Sequence, residues 1–336
     1  MESEGAIETG GLRRLVPVFT VVATLNLGAW VWAAFGLGAA PAAFGAAVLA
    51  YTLGLKHAVD ADHIAAIDNT TRKLMNEGRR SLASGLWFSL GHSTIVFVVT
   101  LAIALLSDGA RDRLDGLREV GGLVGTLISV LFLVLMGLGN LVLLARLWRR
   151  WRRGAAVAGD EPLRVAGPMG RLLRPALGLV SRAWHLYPVG VLFGLGFDTA
   201  TEIGLLGLSA AAAVNGLPLY AVLAYPLLFT AAMTLIDALD GVMMVGVYGW
   251  ALKEPRRKLA YNLFVTLLSV GVAFGIGLLE AAGLLSDALG LDGGVWAAIS
   301  RLNDQFGSLG LGVALAFLAI WLAAYAIDRR RKPVAV

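Results

Sequence analysis

The stretch His57-Ala-Val-Asp-Ala-Asp-His63 sets two imidazoles and two carboxylates into an otherwise apolar run over residues 44–67. On insertion scales each Asp near a bilayer centre costs about 2.5 to 3.5 kcal/mol, so Asp60, Asp62 and Asp68 left unpaired would together cost roughly 8 to 10 kcal/mol. A bound divalent cation would offset that cost. Further along, Phe88-Ser-Leu-Gly-His-Ser-Thr94 places His92 in the middle of another apolar run, so three of only four histidines lie in such runs. Phe197-Asp-Thr-Ala-Thr-Glu202 sets Asp198 and Glu202 four apart, and Thr234-Leu-Ile-Asp-Ala-Leu-Asp-Gly241 sets Asp237 and Asp240 three apart. Either spacing puts both carboxylates on one helix face. Acids of this kind, outnumbering the bases within apolar segments, point to a cation or proton path more than to helix pairing.

The chain has no cysteine among its 336 residues, so disulfides, thiolate metal sites and cysteine catalysis are excluded. Imidazole and carboxylate without thiolate suit Ni, Co, Zn, Mn or Fe(II) and suit Cu(I) poorly. These ligands bind metal only when deprotonated, which gives a physical basis for coupling ion movement to a proton gradient. On an ideal straight helix, counted from His57, Asp68 falls near +20°, Asp60 near −60°, His63 near −120° and Asp62 near +140°, each angle being about 100° per residue. These residues cannot all meet one ion on a straight helix. Either the helix is distorted, or Asp62 has another role, such as orienting a ligating imidazole. Lys56 beside them reads equally well as a counter-charge or as a snorkelling interface lysine.

The elements that hold these residues are apolar and long. With 58% hydrophobic and 15% charged residues the chain reads as an all-α polytopic membrane protein. Apolar segments near 15–37, 43–68, 82–106, 120–146, 185–214, 217–250, 259–285 and 308–327 predict eight transmembrane helices. The first is too long for the apolar part of a signal peptide, so no cleavage is expected. Basic residues concentrate in alternate loops: Arg72, Lys73, Arg79 and Arg80; nine arginines over 145–182; four basic residues over 253–258; and Arg329, Arg330, Arg331 and Lys332. By the positive-inside rule both termini are cytoplasmic, and the net charge of +5 reflects topology and not nucleic-acid binding. The expected organisation is a tail over 1–14, a single domain over 15–327 and a basic tail over 328–336. Within that domain a basic linker over 148–183 joins two four-helix halves. Gly121 with Gly125, and Gly271 with Gly275, have the spacing for close helix packing. A faint likeness relates Gly54-Leu and Asp60-Ala to Gly194-Leu and Asp198-Thr. His185, beside Trp184 and Tyr187, fits an interfacial aromatic belt.

Together these motifs resemble the nickel/cobalt transporter family, NiCoT. The family's Arg-His-Ala-Val-Asp-Ala-Asp-His-Ile signature is matched by Lys56 to Ile64, with Lys in place of Arg. Phe88 to Thr94, Leu195 to Glu202 and Leu235 to Gly241 match further family motifs, and Asn26 and Trp30 match an Asn-x-x-Ala-Trp element. Lys56 keeps the charge but loses a planar fork of donors. The resemblance implies uptake of Ni(II) and/or Co(II) without ATP, with His57, Asp62 and His63 central to metal handling. The expectation is a secondary transporter of the cytoplasmic membrane, driven by the proton or membrane-potential gradient. It has no cofactor, no obligatory protein partner, and the ion and lipid bilayer as its partners. Metal is held by His57, His63 and His92 with Asp60 or Asp62, while Asp198, Glu202 and Asp237 line the path or take up protons. Two rival readings fit less well. His57-x4-Asp62 formally satisfies an acyltransferase pattern in which Asp orients a general-base His, but it leaves the later acids without a role. A metal sensor would need a soluble signalling domain. No Gly-x-x-x-x-Gly-Lys-Ser/Thr motif provides for ATP.

Overall fold

In apolar runs of this length the backbone N–H and C=O groups have no partners but each other, and helices satisfy them all internally. The computed structural model describes residues 2–38, 41–79, 81–105, 108–152, 180–196, 200–251 and 255–331. Among the described residues there is no strand. The helices are α1 (Glu2–Leu37), α2 (Pro41–His57), α3 (Ala61–Asn76), α4 (Ser84–Leu105), α5 (Asp108–Arg152), α6 (Leu186–Phe193), α7 (Ala200–Val214), α8 (Leu219–Val222), α9 (Ala224–Ala251), α10 (Pro255–Leu289), α11 (Gly294–Asn303) and α12 (Phe306–Arg331). Pro41 and Pro255 open their helices, where the missing N–H costs nothing. Among the described residues, five helices are long and apolar enough to cross a membrane, or six if α2 and α3 form one bent span.

Two of the expected straight spans are instead broken. The segment expected over 43–68 divides into α2 and α3, bent by 51°. At the break the backbone tightens, Val59 N–H donating to Lys56 O (3.2 Å) and Asp60 N–H to His57 O (2.9 Å). Asp60 then turns extended, φ −64° and ψ 147°, and starts α3. The segment expected over 185–214 divides at Gly194 to Gly196, with α6 before it and α7 after. Among the described residues, neither α6 with α7 nor α12, where the fifth and eighth spans were expected, is among the helices long and apolar enough to cross a membrane. Most of the expected linker over 148–183 lies outside the described residues.

α9 is the central helix, packed against α1, α2, α3 and α4, while α5 pairs with α10 and α4 with α6. Close approach between helices depends on glycine, at some of the positions spacing suggested and at others it did not. Gly91 of α4 meets the Tyr187 carbonyl and Gly190 of α6 meets the Phe88 carbonyl, so a methyl group on either would occupy the other helix's backbone. Gly125 does meet the backbone of Gly196, but Gly271 and Gly275 have open space. Burial runs opposite to that of a water-soluble protein. Phe35 is 85% exposed and Leu27 69%, whereas His63, Asp68, Glu202 and Asp237 are fully buried. An apolar exterior, with the charged groups held inside among the packed helices, is what lipid solvent selects.

Candidate metal centre

The break between α2 and α3 makes the centre possible. His57 ends α2 and His63 lies in the first turn of α3, so the bend turns two side chains that a straight helix would splay toward one point. His92, midway along α4, completes a triangle. Ring centroids are 4.6 Å apart for His57 and His63, and 4.9 Å for each of the other two pairs. Each imidazole offers one nitrogen, and the three nitrogens all lie within 4.8 Å of one another. The Nε2 atoms of His57 and His92 are 3.0 Å apart. That is hydrogen-bond distance, so one of the two rings donates an N–H to the other there.

A carboxylate holds each imidazole. Asp60 Oδ2 lies 3.1 Å from His57 Nδ1, Asp237 Oδ2 3.4 Å from His63 Nδ1, and Glu202 Oε1 2.9 Å from His92 Nε2. A carboxylate at Nδ1 accepts an N–H there and leaves Nε2 with its lone pair, the tautomer a metal requires. His57 and His63 are both held in this way, and His63 Nε2 has no hydrogen-bond partner. Asp60 stands where a helix N-cap stands but makes no capping bond, its carboxylate being turned to His57 instead. Asp62 takes the capping task, its Oδ1 accepting the His63 N–H at 2.9 Å. Of the alternatives left open by the helical wheel, the helix is distorted, and Asp62 meets the backbone N–H of His63 and not an imidazole.

From the second break come Thr201 and Glu202, in the first turn of α7. Thr201 Oγ1 lies 3.1 Å from His57 Nδ1, and Glu202 Oε1 is also 3.8 Å from His57 Nε2. The N-termini of α3 and α7 both carry partial positive charge, which offsets part of the cost of the carboxylates placed there. Phe88 and Phe229 close the apolar wall, each with its ring against an imidazole. A cavity of about 540 Å³ leads to the centre, lined by His57, His92 and the charged groups Lys56, Asp60, Asp62, Glu280, Asp287 and Asp304. Asp198 lies outside the described residues. His185 stands apart from the triangle, accepting the Ser181 N–H at 3.2 Å and contacting Trp184 edge-on.

A buried site of three imidazoles and three carboxylates, reached by an acid-lined cavity, suits passage of a divalent transition-metal ion. Comparison with known proteins gives the lineage. The model of the NicO family, described as a high-affinity nickel-transport protein, matches residues 43–327. The chain belongs to this family. It is 44% identical over 325 residues to the high-affinity nickel transport protein of Cupriavidus necator, covering 95% of this chain and 93% of the relative. It is likewise 44% identical over 328 residues to the nickel transporter NicT of Mycobacterium tuberculosis, covering 93% and 87%. The cobalt transport protein NhlF of Rhodococcus rhodochrous is 42% identical over 328 residues, covering 93% and 91%. No solved structure matches. NicO membership, together with the apolar helices, makes the chain a multi-pass membrane protein of a transporter family and not an enzyme, which removes the acyltransferase reading.

Sequence reasoning named every imidazole of the triangle but missed the contact of Thr201 with His57. Its only signal was a hydroxyl one residue before Glu202. Reasoning from spacing also left Asp68 and Asp240 out of the site, although both are buried.

Proposed function

We propose that this protein is a secondary transporter that takes up Ni(II), and Co(II) by the same route, across the cytoplasmic membrane. The observation that carries the reading is the buried triangle of His57, His63 and His92, each imidazole held by its own carboxylate. In this reading the chain crosses the membrane eight times with both termini cytoplasmic, α2 with α3 and α6 with α7 each forming one broken crossing. The basic ends near Arg72, Lys73 and Arg79 then face the cytoplasm, and the acid-lined cavity opens to the opposite side. Asp60, Asp62 and their neighbours attract the dehydrating cation, and the three imidazoles take it. Glu202 sits where it can join them, and Asp237 holds His63 on the inner side. Asp198 belongs by resemblance to the same motif as Glu202 and is assigned to the path with it. Ligand protons released on binding supply a link to the proton gradient, and the membrane potential drives the cation inward.

The test is radiolabelled Ni(II) uptake into proteoliposomes, competed by Co(II) and Zn(II), with and without an imposed pH gradient. Uptake by the wild type that is lost in His57→Ala and His63→Ala supports the reading. No movement of Ni(II) or Co(II) by the wild type, or normal movement in both variants, overturns it.

A further inference from the structure

The helices α5 and α10 that wall the metal cavity hold a second cavity between them toward their other end. They run antiparallel: Ser129 Oγ donates to Glu280 Oε2 at 2.9 Å where both residues line the metal cavity, and Leu143 and Leu147 pack against Leu263 at the opposite end. There a cleft of about 540 Å³ opens between Leu141, Leu144 and Trp148 of α5 and Phe264 and Leu267 of α10. Clefts that hold small molecules measure roughly 300 to 1,000 Å³. The three α5 residues are spaced three and four apart, so they share one face of the helix. Trp148, Phe264 and Leu267 are all exposed, so the cleft lies at the outer surface of the bundle. Its lining is apolar except for Arg149. Trp151 borders the same cleft beside Trp148, their ring centroids 5.3 Å apart.

Charge at the mouth of this cleft is of one sign. Residues 146–153 hold five arginines and residues 256–258 three further bases, with no Asp or Glu over 141–153 or 255–267. Topology accounts for bases beyond a helix end, and an aromatic belt for tryptophans there, but neither calls for a cleft between the two helices. A groove that is apolar along its length and basic at one end is complementary to a molecule with an apolar tail and an anionic head. Basic pockets between transmembrane helices hold lipids of that kind. We propose that the cleft between α5 and α10 binds one anionic phospholipid, an acyl chain lying against Leu141, Leu144 and Leu267 and the phosphate meeting Arg149. A guanidinium offers a phosphate two parallel N–H donors, and Trp148 and Trp151 suit the level of the headgroups. A second copy of the chain docked on this face by two-fold symmetry would set one basic run against the other, so lipid is the better occupant.

The purified full-length chain in mild detergent is mixed with equal amounts of phosphatidylglycerol and phosphatidylcholine of the same acyl chains, and bound lipid is counted by native mass spectrometry. The wild type is expected to retain one phosphatidylglycerol, preferred over phosphatidylcholine by about tenfold. Arg149→Gln lowers that preference by about fivefold, the remaining bases keeping part of it. Leu267→Trp, at an exposed position where the larger ring fills the cleft, loses the retained lipid whatever its headgroup. Ni(II) binding equal to wild type in both variants serves as the control that the bundle is intact. If Leu267→Trp is not monodisperse, Leu141→Trp on the facing helix is read in the same way. Equal retention of the two lipids by the wild type, an unchanged preference in Arg149→Gln, or full retention in the cleft-filling variant overturns the proposal. A dimer of the wild type that the cleft-filling variant dissolves overturns it in favour of a second copy. The count of bound lipid does not depend on whether the chain carries metal.

Discussion

The two broken helices meet at one centre but serve it differently. The break between α2 and α3 is polar and carries chemistry on both flanks: His57 before it, Asp60 at the turn, and His63 after. The break after α6 is Gly194-Leu-Gly196, with a methyl group on Gly194 falling 2.8 Å from the His92 carbonyl. It sends no imidazole inward. Its contribution is the first turn of α7, where Thr201 and Glu202 touch His57 and His92. One break supplies two imidazoles of the triangle, and the other brings a helix N-terminus whose Thr201 and Glu202 touch His57 and His92. A helix that must turn a ligand inward at depth has to be interrupted, and interruption is tolerated where other protein covers the freed backbone. At the first break that cover is Gly310 of α12, which lies on the Val59 carbonyl.

Substitutions at the two breaks test this division. The largest effect is expected at the first break, where His57→Ala or His63→Ala reduces Ni(II) uptake in proteoliposomes to the level of empty vesicles. Glu202→Gln, at the second, is expected to weaken Ni(II) binding by roughly 10- to 100-fold in titration calorimetry, the range for a partner that orients and charges a ligand. An unchanged Kd would reduce the second break to a scaffold. Gly310→Ala is expected to destabilise the protein by about 1 to 3 kcal/mol, because its methyl group has only backbone to displace. Thermal unfolding in detergent reads this, and a melting temperature equal to wild type would show that α12 does not seal the break. Smallest is Thr201→Val, which removes one hydroxyl from His57 Nδ1 and is expected to weaken binding by about 2- to 10-fold, the worth of one hydrogen bond. Thr201→Ser keeps the hydroxyl and is expected to match wild type; equal loss in both would point to packing as the cause.

Much of the site could be read from residue types alone. Three histidines in apolar runs of a chain without cysteine pointed to one nitrogen and oxygen centre, and His57, His63 and His92 do lie together. The role of Asp62 could not be read, because it depends on where the helix restarts. With α3 beginning at Ala61, Asp62 falls beside the free N–H of His63 and bonds it. The glycines show the same limit from another side. Of the glycines with the spacing of a packing motif, Gly125 meets the backbone of Gly196 but Gly271 and Gly275 face open space, while Gly91 and Gly190, which share no motif, make a close contact. Spacing says which residues share a face, and only the neighbouring helix decides whether that face is used.

The amino-acid sequence by itself determined that this protein is helical and apolar enough for lipid, that no thiolate is available to it, and which family it belongs to. Those properties follow from composition and local motif, which need no knowledge of what packs where. Tertiary structure alone decided that the helix breaks after His57, that Asp60 abandons its cap to hold an imidazole, and that Glu202, 110 residues from His92, lies 2.9 Å away from it. A break in a buried helix is stable only when other helices cover the backbone it frees and neutralise the charges it turns inward, and those helices come from the far end of the chain.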